Sequence, residues 1–462
     1  MDPADKSRTL SLEEIQKGLE YILSVTPETD NTTPVSVLTA ASRTLWSKAY
    51  AELTKGEENA KNKEMLEKFH TAVLIVCLDS GKWSDHASLA ESAALHGSKE
   101  ELENRWYDKH QMIVSADGQL AFNFEASCSD RVHWAYWIEH VLRVANAAPP
   151  AVVKDDTTFD FTRLVQPLEI TFGKSFAAHI RNARLEAHHI VEDLEVHSVH
   201  IPYGKEKIAL LNEAEVNKGV RITPDAFAQL VLQLAHDTLR DRLTAASQLC
   251  SVANFFHGLT ALARTMTAEL AQVIHILNEM ERKALPKLEA ESEINLSNAG
   301  DGTVKPVAVA LDSGKSFLAS HITSTEDKQK LAAAMRAAIT AHHGQVLAAT
   351  RGEGIDRHML VLDHHVRVNG DKAGLAFFED ELQKLSSSYL LSTSSFSREW
   401  LQYYTFGPQR ENGYGLGYVI DRHEMRVSLT AFTNSPATNV SDLTSAILFY
   451  SDMVYHLLGG SK

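Results

Sequence analysis

Cysteine is scarce: three in 462 residues, Cys77, Cys128 and Cys250, far apart and without metal-ligand spacing. That excludes a disulfide framework and suits a reducing compartment. No apolar run is long enough to span a bilayer. The opening MDPADKSRTLSLEE lacks the character of a secretory or transit segment, and the closing GGSK matches no retention or peroxisomal signal. An intracellular, cytoplasmic protein with no transmembrane segment is expected. Basic charge is also short, 45 Lys and Arg against 60 Asp and Glu, giving a formal net charge of −15. Such a field repels nucleic acid, so no nucleic-acid partner is expected, although a local basic site for a small phosphorylated ligand is compatible with it.

What is present is ordinary globular material, 44% hydrophobic and 23% charged, in a chain too long for one core. Ser11 and Glu14 form a capping box before Ile15, Leu19 and Ile22, which recur at helical spacing. Further helices are predicted around 44–53, 62–69, 134–145, 175–191, 225–239, 266–288, 325–351 and 440–458. Strands are predicted at 73–81, 168–172, 194–202, 389–392, 414–420 and 426–431, with a hairpin over 104–125. Residues 146–156 read as a proline-marked connector and 291–306 as an exposed loop. Mixed helices and strands without a repeat argue α/β layers.

Seven runs then fall in order along the chain: LTAASRTLW (38–46), VCLD (76–79), NRWYDK (104–109), ITPDAFAQLVLQLA (222–235), GEGIDRHML (352–360), LSTS (391–394) and FGPQRENGYGLGY (406–418). Together they resemble the choline/carnitine acyltransferase family. The resemblance implies an α/β fold of two similar CoA-dependent-acyltransferase-like domains. Each is a mixed sheet flanked by helices, with an active-site tunnel between them. Residues 1–190 would carry the catalytic motif, and 191–462 the CoA and Ser-Thr-Ser motifs. Family members carry a long segment ahead of the helix near Ser11, so a naturally short relative or a trimmed chain is expected.

The family's catalytic motif, Glu-His-Ser-x-x-Asp-Gly, is matched by Glu125-Ala126-Ser127-Cys128-Ser129-Asp130-Arg131. In the family the histidine takes the proton from the acceptor hydroxyl that attacks the acyl thioester, a task suited to a near-neutral pKa. Ala126 cannot do this, and losing a general base costs on the order of 10²–10⁴ in rate. Asp130, which in the family supports the charged imidazole, is kept, while Arg131 replaces the glycine. Two origins stand open for Ala126, an engineered substitution and natural loss. Cys128 beside Asp130 and His133 superficially suggests a cysteine–histidine pair, but a buried inert thiol is the stronger reading.

By the same resemblance Ser394 donates its hydroxyl to the developing oxyanion, with Ser392 and Thr393 lining the acceptor pocket. Lys205, Lys218 and Arg221, ahead of the TPDAF run, would hold the phosphates of coenzyme A. Asp225 would bind the pantetheine arm, cap the helix, or both. Arg357 matches the arginine that faces the carnitine carboxylate, and Thr260 matches a threonine with the same duty. The arginine preceding that threonine is lost to Leu259, and the family's upstream tyrosine has no counterpart, which weakens carnitine itself as the acceptor. The histidine-rich run 186–200 crosses from helix to strand, where His197 and His200 face opposite sides, so no metal site is expected.

The expected activity is O-acyl transfer from coenzyme A, or another acyl thioester, to a hydroxylated, carboxylate-bearing acceptor. Acyl-CoA would be a substrate, with no permanently bound cofactor. With Ala126 in place, activity should be lost or impaired. Two rivals remain: a pseudoenzyme that binds acyl-CoA in a regulatory role, and an acyltransferase releasing a polyketide from an acyl-carrier domain onto an alcohol.

Overall fold

Ser11 and Glu14 form the expected reciprocal cap: Ser11 N donates to Glu14 Oε2 at 2.8 Å and Glu14 N to Ser11 Oγ at 3.2 Å. They open α1 (Leu12–Val25). The computed structural model describes residues 10–25, 34–83, 89, 101–127, 129–147, 165–240, 243–291, 322 and 324–460. Residues 292–306 of the expected loop 291–306, most of the 146–156 connector, and Cys128 lie outside the described residues. The chain divides into two compact units, Met1–Lys82 with Ser98–Ile190, and Val191–Lys462 with Trp83–Gly97.

In the first unit α2 (Arg43–Thr54) and α3 (Ala60–Thr71) precede β1 (Ile75–Leu78). The hairpin β2 (Gln111–Val114) and β3 (Leu120–Asn123) follows, then α4 (Arg131–Ala147) and α5 (Ala177–Asp193). The sheet is mixed, with β1 parallel to β2 and β2 antiparallel to β3. A buried bidentate pair anchors the β1 end: Arg105 Nη1 and Nη2 donate to Asp79 Oδ1 and Oδ2 at 2.8 and 2.7 Å. The strand expected at 168–172 does not form. The amide of Asn62 takes the place of a neighbouring strand, accepting from Thr171 N at 2.9 Å and donating to Thr171 O at 2.7 Å.

The second unit opens with β4 (Leu194–Ile201), α6 (Lys205–Leu211) and α7 (Pro224–Thr238). Next come β5 (Ala246–Ser251), β6 (Thr260–Arg264), α8 (Ala268–Glu291) and α9 (Thr325–Thr350). Three short helices follow, α10 (Ile355–Asn369), α11 (Lys372–Glu379) and α12 (Glu381–Ser386), then β7 (Leu391–Ser395), β8 (Tyr414–Ile420), β9 (Met425–Phe432) and α13 (Val440–Leu457). The six strands pair in the order β4-β9-β8-β7-β5-β6, with β7 parallel to both neighbours. Each unit is therefore a mixed sheet with helices, an α/β architecture. Among the described residues no helix is long and apolar enough to cross a membrane.

Alternation gives the large sheet two distinct faces. Leu391, Tyr414, Leu416 and Tyr418 join the core built around α7, whose residues are buried from Ala226 to Asp237. A helix apolar nearly all round belongs at the centre of a domain. Ser392, Ser394, Gly415 and Gly417 point the other way, in register with one another. There the chain at 404–407 runs directly over the strand. A Cβ at Gly417 would meet the Tyr404 carbonyl oxygen at 2.1 Å, and one at Gly415 the Phe406 carbonyl oxygen at 2.8 Å. Thr430 Oγ1 donates to Phe406 O at 2.7 Å and fastens this crossing.

The far end of α7 buries a polar cluster. Thr244 Oγ1 lies 3.3 Å from His236 Nδ1 and 3.2 Å from Asp237 Oδ1. Burial pushes the Asp237 carboxyl up to about 7 and holds His236 down to about 3.

Two outcomes follow. Gly417→Ala is expected to cost roughly 1–3 kcal/mol in denaturant unfolding, because the crossing backbone must shift. Asp237 keeps its proton in the folded chain after the unfolded chain has lost it, so its contribution falls as pH rises from about 4 to about 7. Asp237→Asn should remove that fall, which melting temperature measured across this range will read.

Candidate active site

The turn between β3 and α4 carries the motif of the first unit. Glu125 closes it locally, accepting from Ser127 N at 2.9 Å and Ser127 Oγ at 2.6 Å. Ala126 and Ser127 are exposed at its tip. Asp130 is buried, 5% exposed, and Arg131 Nη1 stands 3.7 Å from its Oδ1. That ion pair sits where a buried carboxylate needs a counter-charge. His133 is exposed in the first turn of α4.

In the second unit Ser394 is fully buried. Among the described residues neither its hydroxyl nor that of Ser392 has a hydrogen-bond partner. Thr393 lies on the opposite face: its hydroxyl donates to Ser247 O at 2.9 Å and accepts from Gln229 Nε2 at 2.8 Å. Register carries the serine face outward, pairing Ser392 with Ser247, Ser247 with Arg264, and Ser251 with Thr260. Thr260 and Arg264 thus share a sheet face with Ser392 and Ser394. Arg357 is exposed in the first turn of α10. Its neighbour Asp356 accepts from the Tyr389 hydroxyl and lies 3.5 Å from Arg264 Nη2.

Lys205 begins α6 and is exposed, as are Lys218 and Arg221. Asn212 folds the following loop back onto the end of α6, donating to Ile222 O at 3.0 Å and accepting from Ile222 N at 2.8 Å. Lys205 thus stands at the start of α6, while Arg221 precedes the residue tied to the helix's far end, roughly 10 Å along its axis. Lys218 also pairs with Glu215 at 3.1 Å. Thr223 caps α7, accepting from Ala226 N at 3.1 Å, which releases Asp225 from that duty.

Asp225 instead gathers donors from the sheet. The Tyr418 hydroxyl reaches its Oδ1 at 2.6 Å, Gln248 Nε2 reaches both oxygens at 3.1 and 3.0 Å, and His342 Nε2 stands 3.6 Å away. Burial opposes ionisation, yet His342, Gln248 and Tyr418 together hold the carboxyl below its usual range. Gln229 joins the cluster through Tyr418 at 2.9 Å. Sequence reasoning missed Gln229, Gln248, Tyr418 and His342. One signal was available: Asp225, Gln229 and Gln233 form a polar stripe at four-residue spacing on an otherwise apolar helix.

Two histidines of the run 186–200 face carboxylates. His197 Nε2 lies 2.8 Å from Glu195, and His200 lies between Glu424 and Tyr403 at 3.1 and 3.0 Å. Among the described residues no group of three or more His, Cys, Asp or Glu is placed to hold a metal ion.

Tyr418→Phe is expected to cost about 1–2 kcal/mol of stability and to raise the Asp225 carboxyl towards its ordinary range. Equilibrium unfolding and a carboxyl-resolved NMR titration check the two effects.

The family model "Choline/Carnitine o-acyltransferase" matches residues 1–299 and 301–448. Choline O-acetyltransferase of Drosophila melanogaster is 25% identical over 97% of this chain and 61% of its own length. Carnitine O-palmitoyltransferase 2, mitochondrial, of Xenopus tropicalis is 27% identical over 88% of this chain and 53% of its own. Carnitine O-acetyltransferase of Rattus norvegicus is 24% identical over 89% and 57%. The chain therefore spans between half and two-thirds of the length of these relatives. The family-model match over nearly its whole length means that this chain belongs to the choline/carnitine O-acyltransferase family.

Proposed function

We propose that the protein binds an acyl thioester of coenzyme A and descends from enzymes that pass the acyl group to the hydroxyl of a carboxylate-bearing acceptor. Residues 1–190 and 191–462 would be its two acyltransferase-like halves. Ser394 serves as the oxyanion donor, and its buried, uncommitted hydroxyl supports that role. Thr260, on the same sheet face, serves the acceptor with Arg357 and Ser392, while Thr393 holds the strand to α7. Lys205, Lys218 and Arg221 meet the phosphates, and Asp225 orders the start of α7 beside them.

The observation that carries the rest is the turn at Ala126. Position 126 offers no imidazole, and Arg131 rather than a charged ring accompanies buried Asp130. Transfer is accordingly impaired, and drift at two positions favours natural loss over a single engineered change. The same observation supports a second reading, a binding module that keeps the thioester and performs no chemistry.

Ala126→His combined with Arg131→Gly should raise thiol release from acyl-CoA by about 10²–10⁴ with a hydroxy-carboxylate acceptor. Ala126→His alone should gain less, because Arg131 still occupies Asp130. In the double variant, Arg357→Ala should raise KM for a carboxylate acceptor and spare choline. Silence in the double variant despite saturable acyl-CoA binding would favour the binding module. Reaction only with a carrier-bound thioester would favour polyketide release, and failure to bind either thioester would contradict the proposal.

A further inference from the structure

His110 immediately precedes β2, and its ring is almost wholly enclosed, 6% exposed. Nδ1 accepts a hydrogen bond from the backbone N–H of Glu125 at 3.2 Å. An accepting ring nitrogen carries no proton, so in the neutral ring the proton rests on Nε2. Nε2 lies 3.5 Å from Ser129 Oγ, and that same oxygen accepts from Trp134 Nε1 at 2.6 Å. The ring also packs on Trp134, with centroids 4.0 Å apart at 47°. Burial holds the imidazole below its ordinary range and so favours the neutral form.

One ring thus spans the whole turn. One nitrogen meets the main chain just before Ala126, and the other faces the side chain just before Asp130. We infer that His110 is a positioning residue that sets the conformation in which this turn presents position 126. The inference rests on reading the turn as the family's catalytic one. His110 is not a replacement base. The lone pair on Nδ1 is committed to Glu125 N–H, and Nε2 already bears the proton, so the ring has no site to receive one from an alcohol. A histidine that only filled space beside Trp134 would be replaceable by any flat ring.

The tautomer can be read in the unaltered chain from the imidazole 15N resonances, with an unprotonated Nδ1 and protonated Nε2 expected. Hydrogen exchange at the Glu125 amide gives a second reading. His110→Phe keeps the packing on Trp134 and removes both nitrogens. It should speed that exchange roughly tenfold, the scale of one lost buried hydrogen bond, without altering the β2 amides. His110→Asn can set its Oδ1 near the place of Nδ1 and should restore protection to within about threefold of the unaltered chain. Introduced into the Ala126→His, Arg131→Gly background, His110→Phe should lower kcat by an order of magnitude or more at unchanged KM. A protonated Nδ1, or a Glu125 amide equally protected in His110→Phe, would overturn the inference. Should that background show no turnover, the functional reading fails, while the tautomer and the amide exchange still decide the role of His110.

Discussion

Asp225, partly exposed at the start of α7, is held by hydrogen-bond donors from two different strands. Tyr418 reaches it from β8 and Gln248 from β5, while His342 Nε2 on α9 stands 3.6 Å away. β7 lies between β5 and β8, so the network brackets the strand that carries Ser392, Thr393 and Ser394. Gln229, one turn along α7, adds a bond to Thr393 from the middle of the bracket. A helix held by one charged group to both neighbours of a strand cannot rotate or slide without exposing an unsatisfied polar atom.

That constraint decides which way the serines look. With Thr393 drawn towards α7, alternation turns Ser392 and Ser394 to the opposite face, beside Gly415 and Gly417. Glycine at those two places lets the chain at 404–407 run close over the strand, and burial of Ser394 goes with that crossing. Thr260 and Arg264 reach the same face two strands away through register alone. The first unit solves a comparable problem with a ring instead of a carboxylate: His110 spans the turn at Ala126, and Arg131 attends Asp130.

Much of the architecture was legible in the residues. Long periodic segments such as 225–239 and 440–458, and β-rich runs such as 414–420, became the elements expected of them. The Ser11–Glu14 box formed as its spacing required. β5 and β6 were not legible, because ASQLCS and TALAR are short and rich in alanine and serine, and their strand character comes from pairing. The run 168–172 pairs with no strand, and at Thr171 the Asn62 amide supplies both backbone bonds instead. At the site, motif residues could be named from sequence, but their partners could not. Gln248, Tyr418 and His342 lie 23, 193 and 117 positions from Asp225, and no local pattern links such distant groups. Thr393 and Ser394 are adjacent in the chain and lie on opposite faces, which follows from the strand and not from the motif.

The central claim is a preserved thioester site without a proton acceptor at position 126. Calorimetric titration of the unaltered chain with acyl-CoA, followed by assay of the same sample for free thiol in the presence of a hydroxy-carboxylate, tests it most directly. Saturable binding with thiol release no faster than in protein-free buffer is the expected result. Absence of binding, or sustained thiol release from the unaltered chain, would contradict it.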